Sequence, residues 1–343
     1  MTAPDLTSDN PLLSRPTIEA SEPEQSPASL PGELADTAPK VAINCTKELT
    51  DAVEAYVRAG IAPARRRAYR ADLDHFLAWG GAIPTTDGRL AAYLAAHAVA
   101  LKVATLERRL AAISVAHEAR GLPNPVRSSL IRATIRGIRR ERGSAQRRAT
   151  PLLRDDLFAI LAATGGSLKD VRDRALLLIG FAGGFRRSEL CAINCTDIEP
   201  VRQGVVITVR RSKTDQDGVG RKIGIPLGRT IWCPVAALEH WLTVGQIADG
   251  PVFRSVDHGR VSQGRLSAEA VCFVVRERLA AAGYDPLGYS GHSLRAGLAT
   301  CAAQAGVPGW KIRQQTGHAS EAMLARYVRD GELFIDNAAG RLL

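Results

Sequence analysis

Tyr289-Ser-Gly-His-Ser-Leu-Arg-Ala-Gly-Leu-Ala-Thr300 is the stretch on which the reading of the whole chain turns. His292 and Arg295 stand three apart in a pattern that opens a helix. Ser290 or Ser293 can serve as its N-cap, and Leu294, Leu298 and Cys301 supply an apolar stripe at helical spacing. Residues at i and i+3 share a face, so an imidazole and a guanidinium can reach one point in space. At a helix N-terminus that pairing suits a phosphate, because the guanidinium fork and the unpaired backbone N–H groups all donate. The spacing alone is also that of an ordinary surface pair. Its surroundings decide between the two.

The chain has 343 residues, enough for two domains and a tail. Its formal net charge is +10, and seven lysines among the 45 basic residues leave 38 arginines. A GC-rich genome favours arginine codons; phosphate recognition favours the arginine fork. The six cysteines (Cys45, Cys191, Cys195, Cys233, Cys272, Cys301) form no Cys-x-x-Cys pair and stand near no cluster of histidines. Zinc and a disulfide framework are therefore not expected, and free thiols in a reducing cytosol are. No long apolar run marks a transmembrane span, and the start does not read as a signal peptide. A cytoplasmic protein is the expectation.

Residues 1–42 are rich in Pro, Ser, Thr and acidic residues, carry a charge of roughly −5, and read as a disordered tail. Residues 43–140 read as a helical bundle. One helix runs through Leu49, Val53 and Tyr56 to Gly60. The next carries Tyr69, Leu73, Phe76 and Leu77 as one buried face, with Arg65, Arg66, Arg67 and Arg70 in its first turns. Two more lie near Leu90–Ala98 and Thr105–Ala119. The last, about Pro125 to Arg140, buries Ile131, Ile135 and Ile138. Arg132, Arg136 and Arg139 each follow one position later, about 100° round the helix. With Arg140 they form a row that meets no acidic residue before Glu141, which favours a DNA face over a solvated charge run. Residues 141–150, with Arg147 and Arg148, read as a basic linker.

The second domain, 151–331, is expected to open with Thr150-Pro151 as N-cap and first residue of a helix. Helices through Leu157–Leu161 and Val171–Phe181 come next. Gly204–Val209 and Lys222–Pro226 read as two strands joined across a turn at 214–220. Further helices fall at Pro234–Leu242, Ser267–Ala282, Gly291–Gln304, Trp310–Gln315 and Ser320–Arg329. The fold class is mainly α with a small antiparallel β-sheet.

Around His292 and Arg295 the order of chemical groups is distinctive. Gly183-Gly-Phe-Arg-Arg-Ser-Glu-Leu190 puts Arg186 just after a helix, with Glu189 three residues on. Lys213 sits at the mouth of the turn, with Arg210, Arg211 and Lys222 close by. Gln315-Thr-Gly-His318 leads into a helix, and Tyr327 comes nine residues after His318. This set, Arg…Lys…His-x-x-Arg…Gly-His…Tyr over about 140 residues, resembles the tyrosine recombinase (phage integrase) family, and in particular its Cre-like and Xer-like members. Tyr69-x-x-Asp72-Leu73-x-x-Phe76-x-x-Trp79 is similar to that family's helical core-binding domain.

The resemblance implies a SAM-like core-binding domain and a catalytic domain forming a C-shaped clamp on DNA. It implies site-specific strand cleavage and rejoining, with Tyr327 attacking a phosphodiester to leave a 3′-phosphotyrosine and a free 5′-hydroxyl. Arg186 and Arg295 would hold the non-bridging oxygens. Lys213 would protonate the leaving oxygen, His292 would accept the tyrosine proton, and His318 would donate to the phosphate. Glu189 would orient Arg186 or His292. No cofactor, metal or ATP is implied. The expected partners are double-stranded DNA with short inverted repeats and other copies of the chain, four to a synapse. An arm-binding domain is not expected, because residues 1–42 are acidic and read as structureless, and residues 332–343 would form a helix exchanged between neighbours. A type IB topoisomerase uses a similar set only to nick and relax, and a DNA-binding accessory protein would have lost the chemistry altogether. Covalent trapping of DNA separates the enzymes from the accessory protein, and relaxation of plasmids without a target site marks the topoisomerase.

Overall fold

The computed structural model describes residues 60–143, 149–210 and 220–318, with 320, 321, 324, 325, 327, 339 and 342 beyond them. The acidic tail, the helix from Leu49, the linker residues Arg147 and Arg148, Lys213 in its turn, and nearly all of 328–343 lie outside the described residues. Backbone contacts divide the chain into two units, Met1–Ser144 and Ala145–Leu343.

In the first unit the described helices are α1 (Pro63–Ala78), α2 (Asp87–His97), α3 (Val103–Glu118) and α4 (Ser129–Arg142). Thr86 and Ser128 cap α2 and α4 through their hydroxyls, which accept the N–H of Arg89 and Ile131. The stretch expected as one helix from Pro125 thus splits. Pro125–Arg127 makes a single 3₁₀ turn, and Ser128 stays extended to cap α4. Leu73, Phe76, Tyr93, Leu106 and Ile113 share a core with Ile131, Ile135 and Ile138. Leu77 does not join it: it is 38% exposed, since the turn of the helix carries it about 100° beyond Phe76. Asp72 is almost wholly buried, and the fork of Arg108 holds its two oxygens at 2.7 and 2.9 Å.

The second unit contains α5 (Arg154–Ala162), α6 (Leu168–Ala182), α7 (Arg187–Ala192), α8 (Pro234–Val244), α9 (Ala268–Ala281), α10 (His292–Gln304) and α11 (Gly309–Thr316). Strands β1 (Ile198–Val201), β2 (Gly204–Val209) and β3 (Arg221–Pro226) form one antiparallel sheet in that order. Ile207 lies opposite both Ile198 and Ile223. A separate hairpin joins β4 (Arg254–Asp257) to β5 (Arg260–Arg265). The sequence therefore holds more strand than the one small sheet expected of it.

Thr150-Pro151 does not start a helix. Leu153, itself extended, is the N-cap residue of α5, and the residues just before it are not helical. The reason is long-range: the Thr150 and Leu152 N–H groups donate to the carbonyls of Gly288 and Ser293, at 3.0 Å each. Helix α10 presses close to its neighbours here. A β-carbon at Gly297 would overlap the Leu152 carbonyl, and one at Gly180 would lie 2.8 Å from Leu294. These glycines seat the first turn of α10 beside the Gly183-Gly184 turn that ends α6. No described helix is long and apolar enough to cross a membrane.

Candidate active site

Arg186 is the N-cap residue of α7, and Glu189 stands at the third helical position. The Glu189 carboxylate accepts the Arg186 backbone N–H at 3.1 Å, which closes the first turn. Its other oxygen accepts the Arg186 guanidinium at 2.5 Å. Arg221, the first residue of β3, donates to the same carboxylate at 2.9 Å. Glu189 is buried, so one carboxylate is shared by two guanidiniums away from water. Arg295 completes the group from the first turn of α10. It is 1% exposed and donates to the carbonyls of Gly184 (2.9 Å) and Thr316.

Three guanidiniums and one carboxylate leave a formal +2 on these four side chains. Burial, with the positive charge of Arg186 beside it, brings the Arg295 guanidinium down to about 10, so it stays charged at neutral pH. A buried cluster with this surplus favours an added anion strongly, because charge interactions grow as the dielectric falls.

The carbonyls at the end of α11 orient the rest. Gly317 takes a left-handed conformation, φ +66°, and closes the helix. Arg186 donates to the Gly317 carbonyl at 3.1 Å and Arg221 to that of Gln315 at 2.8 Å. The Gln315 amide in turn reaches the carbonyls of Ala182 and Gly224. His318 comes directly after and is buried. The Thr316 hydroxyl has one proton, and at 2.6 Å it goes to the Ile312 carbonyl, which can only accept. The contact of 2.7 Å between Thr316 Oγ1 and His318 Nδ1 is therefore made by a proton on the imidazole. His318 is neutral in this state, with its lone pair on Nε2.

Burial first, then the positive charges of Arg295 and Arg186, push His318 down to about 3. Its unfolded value is near 6.5. Below 6.5 the unfolded chain takes a proton that the folded one refuses, so this histidine makes stability fall as pH drops from 6.5 towards 3. We expect His318→Gln to narrow the gap between the unfolding temperatures at pH 7.5 and pH 5. An equal gap in both proteins, measured by thermal unfolding, would contradict the buried neutral imidazole.

Tyr327 meets this group from the chain beyond His318, where Glu321, Leu324, Ala325 and Tyr327 are helical. Its ring packs on the small cluster of Ala299, Ala303, Ile312 and Leu324. The hydroxyl lies 2.7 Å from His292 Nε2, and the ring centroid is 5.5 Å from that of His318. The apolar cluster holds the ring, and the hydroxyl at its end reaches His292. With the His292 proton on Nδ1, the phenol donates to Nε2, as a general base requires. His292 itself begins α10. Gly291 is the cap residue there, and the Ser290 hydroxyl accepts the His292 N–H at 3.2 Å.

Residues 151–332 match the phage integrase family. An integrase/recombinase XerD homologue from Selenomonas ruminantium is 38% identical over 287 residues, spanning 80% of this chain and 84% of that one. The chain belongs to the phage integrase family of site-specific tyrosine recombinases. The Cre recombinase of Escherichia phage P1 is 29% identical over 271 residues, 73% of this chain and 76% of its own. Among solved structures, XerH bound to a palindromic difH substrate in a post-cleavage complex has the same fold, with a TM-score of 0.60 at 15% identity over 86% of this chain and 85% of that one.

The structure of this tyrosine recombinase brings together five of the six expected catalytic side chains, Arg186, His292, Arg295, His318 and Tyr327; the sixth, Lys213, lies outside the described residues. Among its basic neighbours, Arg210 pairs with Asp197 at 2.5 Å and Lys222 approaches Glu199 at 3.6 Å. The alternation of β3 sends Lys222 to the face opposite Arg221 and hence away from Glu189.

Of the arginines expected to meet DNA, Arg65, Arg66, Arg67, Arg70, Arg132, Arg136, Arg139 and Arg140 are all exposed. The row on α4 does meet an acid, however. Arg139 pairs with Glu107 of α3 at 2.6 Å, a partner that spacing along one helix could not reveal. Sequence reasoning missed Arg221 entirely. Its signal was parity: it shares its strand face with Ile223 and Ile225, both buried.

Proposed function

We infer that this recombinase cleaves and rejoins double-stranded DNA at short inverted-repeat sites through a covalent 3′-phosphotyrosine on Tyr327. The observation that carries the reading is the 2.7 Å contact between the Tyr327 hydroxyl and His292 Nε2, beside three clustered guanidiniums. His292 takes the phenolic proton as Tyr327 attacks. Arg186 and Arg295 hold the two non-bridging oxygens, on which negative charge gathers in the transition state. Lys213 protonates the departing 5′-oxygen. Glu189 orients Arg186. His318 donates to the phosphate only after a second proton has settled on Nε2, since its first is held by Thr316. Guanidiniums supply the charge that a metal would otherwise bring, and the phosphotyrosine keeps the energy of the broken bond, so ATP has no step to drive.

The palindromic substrate in the XerH complex supports inverted-repeat sites. Exchange of strands between two duplexes needs four such active sites, and we assign to residues 332–343 the contact between neighbours, as a helix exchanged in a ring. The sequence of the DNA site sets the biological task, be it integration, excision, or resolution of cointegrates or dimers. Incubating the protein with a nicked duplex, whose short cleaved fragment diffuses away, tests the reading directly. A protein–DNA adduct stable to denaturant is expected, and its absence on every duplex the protein binds would sink the assignment.

Both units are proposed to contact the same duplex, so affinity falls steeply with salt. Each phosphate contact contributes about 0.9 to the slope of log K against log salt. Reversing charge at Arg136 and Arg140 should therefore flatten the slope by about 2. An unchanged slope in a titration of ionic strength would place that row in solvent.

A further inference from the structure

We propose that Arg221 is a positioning residue for strand cleavage: it holds Glu189 and the end of α11 so that Arg186 and His318 are presented together to the scissile phosphate. The proposal rests on the cleavage chemistry inferred above and adds a residue to it.

Arg221 joins three parts of the site. Its Nη2 donates to Glu189 at 2.9 Å, its Nη1 to the Gln315 carbonyl at 2.8 Å, and its guanidinium packs against Gly317. A β-carbon at Gly317 would stand 2.7 Å from Arg221 Cζ, so this glycine is required both by its left-handed φ and by the arginine packed on it. Arg186 makes a parallel pair of bonds, to Glu189 and to the Gly317 carbonyl. The two guanidiniums thus share one carboxylate and cap the carbonyls at one helix end, where the helix dipole is negative. Arg221 Nε is buried and finds no hydrogen-bond partner among the described residues. Burial lowers the Arg221 pKa. A fold with no use for this cation would place an apolar residue here, as it does at Ile223 and Ile225 on the same strand face.

The consequence for Arg186 is geometric. With Arg221 in place, Glu189 Oε2 accepts a guanidinium as well as the Arg186 N–H, which stiffens the carboxylate that orients Arg186. Without it, one carboxylate oxygen keeps only the Arg186 N–H, and the Gln315 carbonyl loses its cap. Arg186 and the turn leading to His318 are then tied only by the bond from Arg186 to the Gly317 carbonyl. Loss should appear in the rate of cleavage far more than in DNA affinity, because the exposed arginines elsewhere hold the duplex.

The test uses full-length protein and a nicked duplex carrying the sequence that Tyr327→Phe protein selects from a random pool. Arg221→Met keeps most of the length of the side chain and removes the fork. Its single-turnover rate of adduct formation should fall about 10–100-fold, the usual effect of losing a partner that orients a functional group, while the dissociation constant for the duplex changes less than about twofold. In an Arg186→Ala background the same substitution should cost clearly less than in the wild type, since there is then no Arg186 to orient and only the turn before His318 is affected. Arg221→Lys keeps the charge without the fork and should recover only part of the rate. If Arg221→Met is unstable by thermal unfolding, Arg221→Lys carries the test, with a rate below wild type expected.

Cleavage by Arg221→Met or Arg221→Lys at the wild-type rate overturns the proposal. A penalty that adds in full to that of Arg186→Ala also overturns it, because Arg221 would then act independently. The wild-type protein separates this from the underlying reading: no adduct from wild type defeats the cleavage assignment, whereas equal adduct from wild type and Arg221→Met defeats only the role of Arg221.

Discussion

Tyr327→Phe should bind its duplex as the wild type does and form no covalent adduct with it. The substitution removes one oxygen and leaves the ring on the cluster of Ala299, Ala303, Ile312 and Leu324, so the fold has no reason to change. The lost oxygen is the one at 2.7 Å from His292 Nε2, and no other tyrosine is seen against that imidazole among the described residues. The measurement is denaturing electrophoresis of the protein with a nicked duplex, beside a filter-binding or mobility-shift titration. An adduct formed by the variant would move the nucleophile to Tyr289 or Tyr284. Tyr289 is half-buried, and burial raises its pKa, which argues against it in advance.

The second large effect concerns Arg186 and Arg295. If they hold the phosphate as proposed, changing either to alanine should remove a charge-assisted donor from the transition state and cost about 10²–10³ in rate. Affinity for DNA should change much less. The two differ in what else they hold. Arg295→Ala also strips the Gly184 and Thr316 carbonyls of their donor in a dry site, which costs about 1–3 kcal/mol of stability. Arg186→Ala leaves Glu189 its bond to Arg221, so it should unfold nearer the wild-type temperature. Single-turnover cleavage and thermal unfolding, run side by side, check both halves. Equal losses of binding and cleavage would make these arginines ordinary DNA contacts.

Much of this was legible in the sequence because local signals and tertiary demand agreed. The run Val205-Val-Ile-Thr-Val209 is β-branched throughout, as a strand favours, and β2 spans Gly204–Val209, the range its residues predict. The candidate site was legible in part because several of its members stand at a helix start or turn that their neighbours announce: Gly183-Gly184 before Arg186, Gly317 before His318. The failures are equally physical. β1 is mostly exposed and contains Pro200, so it shows no apolar alternation. β4 and β5 are mostly polar, and their turn is set by positive φ at His258 and Gly259. Thr150-Pro151 has the local chemistry of a helix start, but bonds to Gly288 and Ser293, more than a hundred residues away, hold this segment outside a helix. The Arg139–Glu107 pair and the shared carboxylate of Arg186 and Arg221 likewise join distant parts of the chain. Pairings of that kind leave no period in a sequence.

Glu189 does two jobs with one carboxylate: it closes the first turn of α7 and it fixes the orientation of two guanidiniums. Fraying of that short helix and dispersal of the cations are therefore a single opening event. The backbone amides of α7 become a clock for the catalytic centre, since the deuterium they take up counts the moments in which the cations are apart. An anion that settles among the guanidiniums holds the turn shut by the same free energy with which it binds. Engagement of a scissile phosphate would then be written in the slowed exchange of the helix that Arg186 caps.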